Sequence, residues 1–172
     1  MALQIGHRKS LDLDLFGAIE ADDIYIAQTL NSLGTSQLIK KTPNIQIYVV
    51  NGIKVDIVNY HYRLIEAAIE EDNLRLAGKK DIAAMKLAAI TGRGSKKDFI
   101  DIYFLLQEFS LAEMLSFYNE KYHDGSSFLV LKSLSYFEDA ETDPQPFMLK
   151  ETDWKQIKLT IVGSLDAFLK NN

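Results

Sequence analysis

Between residues 11 and 59 the apolar side chains mostly alternate with polar ones, and beyond residue 80 they recur at helical spacing. Leu11, Leu13 and Leu15 alternate with Asp12 and Asp14, which predicts a strand with a packed leucine face and a carboxylate face. Glu20 to Leu33 carries Ile24, Ala27 and Leu30 at helical spacing and stops at Gly34. Three further strands are expected over Gln37 to Thr42, Ile45 to Val50 and Ile53 to Asn59. The last two are joined by Asn51-Gly52, a dipeptide suited to a tight hairpin because both positions tolerate positive φ. A strand, a helix and a meander predict a small mixed or antiparallel sheet.

The opening MALQI reads as the end of a helix stopped at Gly6, Arg63 to Glu71 as a short helix or loop, and Leu74 to Ala77 as a short edge strand. From there helices are expected over Lys80 to Thr91, from Ser95 through Leu106, and over Leu111 to Tyr122, Phe128 to Phe137 and Trp154 to Leu169. Ser95 and Asp98 resemble a capping box at the start of the second of these. A polar loop separates the last two, around Asp139 to Pro146, and Tyr118, Tyr122, Tyr136, Phe137 and Trp154 are expected in the core. The fold class is therefore α+β: an α/β core over residues 1–78 with a small mixed sheet and flanking helices, followed by a helical C-terminal bundle over 79–172.

Composition narrows the chemistry. The chain has no cysteine, which excludes disulfides, thiolate metal sites and cysteine nucleophiles and fits a reducing cytoplasm. Its histidines, His7, His61 and His123, are scattered, so any metal should be held by oxygen. There is neither an apolar run long enough to span a bilayer nor a signal-peptide pattern, and a cytoplasmic protein is expected. A net charge of -5 and a pI near 5.2 argue against indiscriminate nucleic-acid binding. Lys79, Lys80, Lys86, Arg93, Lys96 and Lys97 nevertheless form a local basic cluster.

Candidate chemistry begins with Asp12 and Asp14. Adjacent carboxylates repel and are costly to desolvate, so they are offered to solvent or to a cation such as magnesium. Asp56, on the strand after the hairpin, shares a face with Lys54 and Val58, and that strand can lie beside the Asp12 strand. Three acids on two neighbouring strands can hold one or two magnesium ions, although a merely solvated strand face gives the same pattern. Lys86 and Arg93 lie on one stripe of their helix, where long cations either snorkel at the rim of the packed face or point at an anion. Asp101 sits among Phe99, Ile100, Ile102, Tyr103 and Phe104 and needs a cationic partner if buried, with Lys97, Lys86 and Arg93 as candidates.

GHRKSLDLDLF, KVDIV around Asp56 and the block DIAAMKLAAITGRGSKKDFIDIYFLL from Asp81 to Leu106 resemble the AbiEii family of nucleotidyltransferase toxins. The resemblance implies a nucleotidyltransferase core with a helical C-terminal part. It further implies that Asp12, Asp14 and Asp56 bind the magnesium carried by a nucleoside triphosphate. Lys86 would contact phosphates, with Arg93 as its companion and Ser10 also among the nucleotide-binding residues. Asp98 would stand near the acceptor or the metal. By the same resemblance the acceptor is RNA, such as a transfer RNA, or a protein hydroxyl, the partner is a cognate antitoxin, and the setting is phage defence. Family members carry a glycine-rich phosphate cradle before the helix leading into GHR, and no such element precedes it in this chain. Two expectations follow besides the active enzyme: a shortened nucleotide- or partner-binding protein without turnover, and an unrelated D-x-D nuclease or glycosyltransferase.

Overall fold

The computed structural model describes residues 1–171. In chain order its elements are α1 (Ala2–Ile5), β1 (Leu13–Gly17), α2 (Asp23–Ser32), β2 (Ser36–Lys41), β3 (Ile45–Val50), β4 (Ile53–Asn59), β5 (Ile69–Glu71), β6 (Leu74–Leu76), α3 (Lys79–Gly92), α4 (Lys96–Leu105), α5 (Leu111–Lys121), α6 (Ser127–Leu134), α7 (Glu138–Glu141) and α8 (Trp154–Lys170). Two compact units result: residues 10–62, and residues 1–9 together with the chain from 63 onward.

In the first unit the alternating segments form a four-stranded mixed sheet in the order β1-β4-β3-β2, with β1 parallel to β4 and the other pairs antiparallel. Asn51 and Gly52 take φ of 50° and 82°, the left-handed pair that lets the chain reverse in two residues. Asp22 caps α2, accepting a hydrogen bond from the Tyr25 N–H at 2.7 Å. Ile26 and Leu30 of α2 pack on Tyr48, Val50 and Val55 to form the small core of this unit. That core is centred on β3 and β4, and β1 is one of the two sheet edges. The expected packing of the leucine face is therefore not realised: Leu11, Leu13 and Leu15 are 81%, 53% and 51% exposed. Asp12 lies just ahead of the strand rather than within it.

The second unit is built on α3 and α4, whose apolar faces pack with α5, α6 and α8 around the fully buried Leu87, Phe99, Ile102, Met114, Val130 and Ile157. Phe99 has Phe137 and Trp154 as aromatic neighbours, with ring centroids 4.8 and 6.2 Å away. Tyr136, expected in the core, is 52% exposed, because α6 ends at Leu134 and turns there. Part of the expected polar loop is the short α7, and residues 69–76 form a two-stranded hairpin where a loop or short helix and a single edge strand were expected.

A buried ion pair explains why residue 63 marks the change of unit. Asp81 and Lys121 have fully buried side chains with 2.6 Å between Oδ1 and Nζ. Asp81 also accepts from the Ile65 and Glu66 N–H groups, and Lys121 donates to the Arg63 carbonyl at 2.9 Å. The charges fasten residues 63–66 to α3 and α5. The expected boundary at residue 78 thus differs from the observed one, since residues 1–9 and 63–78 are tied to the helices by long-range side-chain bonds that local patterning does not register.

Removing one partner from such a pair strands a charge in the interior. Lys121→Met should lower the unfolding free energy by about 3 kcal/mol in urea denaturation at neutral pH. A loss below about 0.5 kcal/mol, the size of an ordinary surface change, would show that Asp81 does not depend on Lys121.

Candidate active site

On the sheet unit, the parallel pairing of β1 with β4 sets Asp14 directly opposite Asp56. Residues in register on neighbouring strands project from the same face, so the third carboxylate does lie beside the first strand, as expected. Asp56 is partly buried, with Ile47 of β3 as its neighbour on the other side. Lys54 donates to Asp56 Oδ2 at 2.6 Å, while Asp56 Oδ1 is buried and has no hydrogen-bond partner among the described residues. Asp14 is exposed, Asp12 is half-buried, and Ser10 Oγ donates to the Asp12 carbonyl at 3.4 Å.

An unsatisfied buried carboxylate oxygen beside a second carboxylate is the donor chemistry that a hard divalent cation takes. The residues fit such an ion. They are not closed about one point, however: among the described residues no three acidic or histidine side chains stand gathered as a ready-made metal cage.

The helical unit carries the second constellation. α4 presents Asp98 and Asp101 one turn apart, both fully buried. Lys86 of α3 reaches both, at 3.0 Å to Asp98 Oδ1 and 2.6 Å to Asp101 Oδ2. Arg93 forks onto Asp98 through Nε and an Nη, at 2.8 and 3.0 Å, and Ser95 Oγ donates to the same carboxylate at 2.6 Å. Asp101 is held from the other side by Arg8, at 2.8 and 2.9 Å, and by His7 Nε2 at 2.7 Å. Because a carboxylate only accepts, His7 Nε2 carries the proton in that bond, and Nδ1 is buried without a partner among the described residues.

Burial pushes the Asp98 carboxyl up, but the hydrogen bond from Arg93, the Lys86 charge and the Ser95 hydroxyl hold it well below the usual carboxylate range. Asp101 behaves likewise: burial raises it, and His7, Arg8 and Lys86 more than offset that. Both are ionised. Three cations on two carboxylates leave a surplus positive charge, and the two acids occupy two of the three Lys86 ammonium protons. The Arg93 side chain is 59% exposed, so the corner offers cationic charge to solvent on a rigid mount.

Of the partners expected for Asp101, Lys86 is one that the structure supplies. His7 and Arg8 escaped the sequence reading because they are more than ninety residues away along the chain. The apparent capping box is not formed, since the Ser95 hydroxyl donates to the Asp98 carboxylate and makes no backbone cap. Asp98, expected near the acceptor or the metal, is buried against Lys86, Arg93 and Ser95. Lys54 was visible as a residue sharing the Asp56 face, but its bond to that acid is a finding of the structure.

The sign of the pH dependence follows from the depressed carboxyls. The unfolded chain binds more protons than the folded one as pH falls toward the ordinary carboxylate value, so stability from this cluster is full above about pH 5 and drains away below it. The double variant Asp98→Asn, Asp101→Asn should be less stable at neutral pH and show a flatter decline between about pH 5 and pH 2 in denaturant titrations. An unchanged acid limb would mean that these two groups do not carry it.

The comparisons with known proteins agree with this architecture. The chain is 32% identical to an uncharacterized protein, aq_aa25, of Aquifex aeolicus (strain VF5), over 99% of this chain and 85% of that one. Its fold is similar to that of JHP933 from Helicobacter pylori, with a TM-score of 0.55 and 16% identity over 95% of this chain and 77% of the other. A second H. pylori structure, described as a candidate nucleotidyltransferase, matches with a TM-score of 0.55 and 15% identity over 95% and 80% of the two chains. The family described as nucleotidyl transferase AbiEii toxin of type IV toxin–antitoxin systems matches residues 1–171, and the chain belongs to that family.

Proposed function

We propose that this protein is a magnesium-dependent nucleotidyltransferase that moves a nucleotide from a nucleoside triphosphate to a hydroxyl of RNA, such as a transfer RNA, or of a protein, and that a cognate antitoxin restrains it. The observation that carries the reading is the register of Asp14 with Asp56, together with the unsatisfied Asp56 Oδ1. Asp12, Asp14 and Asp56 would hold the metal. When bound, a divalent ion neutralises charge on the phosphate oxygens at the reacting phosphorus.

Each chain group then has a definite task. The acceptor oxygen forms a bond to the α-phosphorus, the bond from that phosphorus to the bridging oxygen breaks, pyrophosphate leaves with the electron pair, and the acceptor proton passes to a carboxylate or to water. Lys86 and Arg93 are phosphate-binding cations, and Ser10, exposed ahead of β1, is a further nucleotide contact. Asp98 acts by positioning: it aims Lys86 and Arg93 without meeting substrate. A second reading, nucleotide or partner binding without turnover, draws on the open arrangement of the three acids.

Transfer of label from each α-labelled nucleoside triphosphate, with magnesium, to total RNA and to protein tests both. The unmodified chain should label one acceptor class, and Asp12→Ala, Asp14→Ala should reduce labelling by about 100-fold or more with the fold intact. Label persisting in that variant would sink the mechanism, and triphosphate binding without any transfer would establish the second reading. Lys86→Ala should weaken transfer and also destabilise the fold, because it leaves Asp98 and Asp101 short of charge. Thermal unfolding measured beside the transfer assay separates the two effects.

A further inference from the structure

Lys54 has a place in the metal chemistry that its position on an ordinary strand conceals. β4 sets Lys54 and Asp56 two residues apart on one face, and β1 adds Asp14 to that face through its register with Asp56. The flanking positions are apolar: Ile47 stands across from Asp56 on β3, and Val58 follows it on β4 with Phe16 in register on β1. Two carboxylates side by side on such a surface repel each other, and nearby apolar groups deprive them of solvation. The Lys54 ammonium, 2.6 Å from Asp56 Oδ2, offsets that repulsion. It does so on one oxygen only and leaves Oδ1 for another cation. With 41% of its side chain exposed, Lys54 is free to leave, unlike the buried Lys121.

We propose that Lys54 is a displaceable internal counter-ion at the Asp14–Asp56 pair. It holds a bare divalent ion off and moves to a phosphate oxygen when the ion arrives with a polyphosphate. This rests on the metal reading given above. A divalent cation entering at Asp14 and Asp56 meets the Lys54 charge a few ångströms away, so the ammonium weakens binding of the free ion. A polyphosphate reverses the sign of that effect, because it brings an anionic oxygen for the released ammonium. Lys54 thereby links loading of the metal to the presence of the nucleotide's phosphates, and is a positioning and affinity-setting residue of the site.

The test reads manganese, a stand-in for magnesium, bound to the full chain at equilibrium dialysis, with the metal in each compartment quantified by electron paramagnetic resonance after release in acid. One titration series contains the ion alone, and the other adds a triphosphate with a methylene bridge between its α and β phosphorus atoms, which cannot be transferred. Lys54→Met should bind the free ion about fivefold more tightly than the unmodified chain and lose about fivefold in affinity for the ion with the triphosphate. Lys54→Arg, which keeps the charge, should restore the original order, and Lys54→Gln provides the same reading as Lys54→Met if the longer apolar chain perturbs the strand. Asp14→Asn and Asp56→Asn serve as the reference for site-specific binding. If both abolish manganese binding while Lys54→Met leaves both affinities unchanged, the metal site stands and the counter-ion role is overturned. If no variant shows manganese binding that depends on Asp14 and Asp56, the metal reading fails and the counter-ion role fails with it.

Discussion

Two ionised carboxylates, Asp98 and Asp101, sit fully buried on a helix whose other buried residues, apart from Lys96 at its start, are Phe99, Ile100, Ile102, Phe104 and Leu105. A buried unpaired charge costs several kcal/mol, so α4 can occupy the centre of the helical unit only if cations are brought to it. That requirement orders the surrounding structure. It fixes Lys86 on α3, Arg93 in the turn that follows, and the chain at His7 and Arg8, and it consumes the Ser95 hydroxyl that local pattern would assign to a helix cap. Asp81 repeats the device with Lys121 at the point where the chain returns from the sheet unit.

The acids of the sheet unit obey a different rule. Asp98, Asp101 and Asp81 are buried and richly bonded, which marks them as parts of the framework. Asp12, Asp14 and Asp56 are exposed or partly so, and one oxygen of Asp56 is buried with nothing to accept from. Membership of the AbiEii family does not by itself distinguish these two kinds of acid, since both lie within the residues that the family matches. Burial and hydrogen bonding do.

Much of this organisation was legible in the amino-acid sequence where local chemistry decides it. Asn51-Gly52 marked the hairpin, Gly6 the end of α1, and helical spacing the positions of α3, α5 and α8 within a few residues. The alternation of Asp12 and Asp14 with leucines led to a strand, but not to the knowledge that α2 would cover β3 and β4 and leave Leu13 and Leu15 half exposed. Packing partners are tertiary facts, and a period-two pattern states only which residues share a face. Similarly, the need of Asp101 for a cation was legible, and Lys86 was among the candidates, while the GHR segment was read for its neighbour Asp12 and not for its own anchoring bonds. The boundary at residue 78 shifted for the same reason: side chains far apart in sequence decide which unit residues 1–9 and 63–78 join.

The split composition of the helical unit sets the order in which a growing chain becomes complete. The sheet of residues 10–62 has every strand and its covering helix within one short stretch, which is made before any of α3 to α8. His7 and Arg8 leave the ribosome before that stretch, yet their acceptor lies 94 and 93 residues later. They wait through the whole of the sheet unit, and the corner they share with Lys86 and Arg93 closes only after α4 has emerged. A chain interrupted before α4 would carry the sheet acids without the cations of the helical unit.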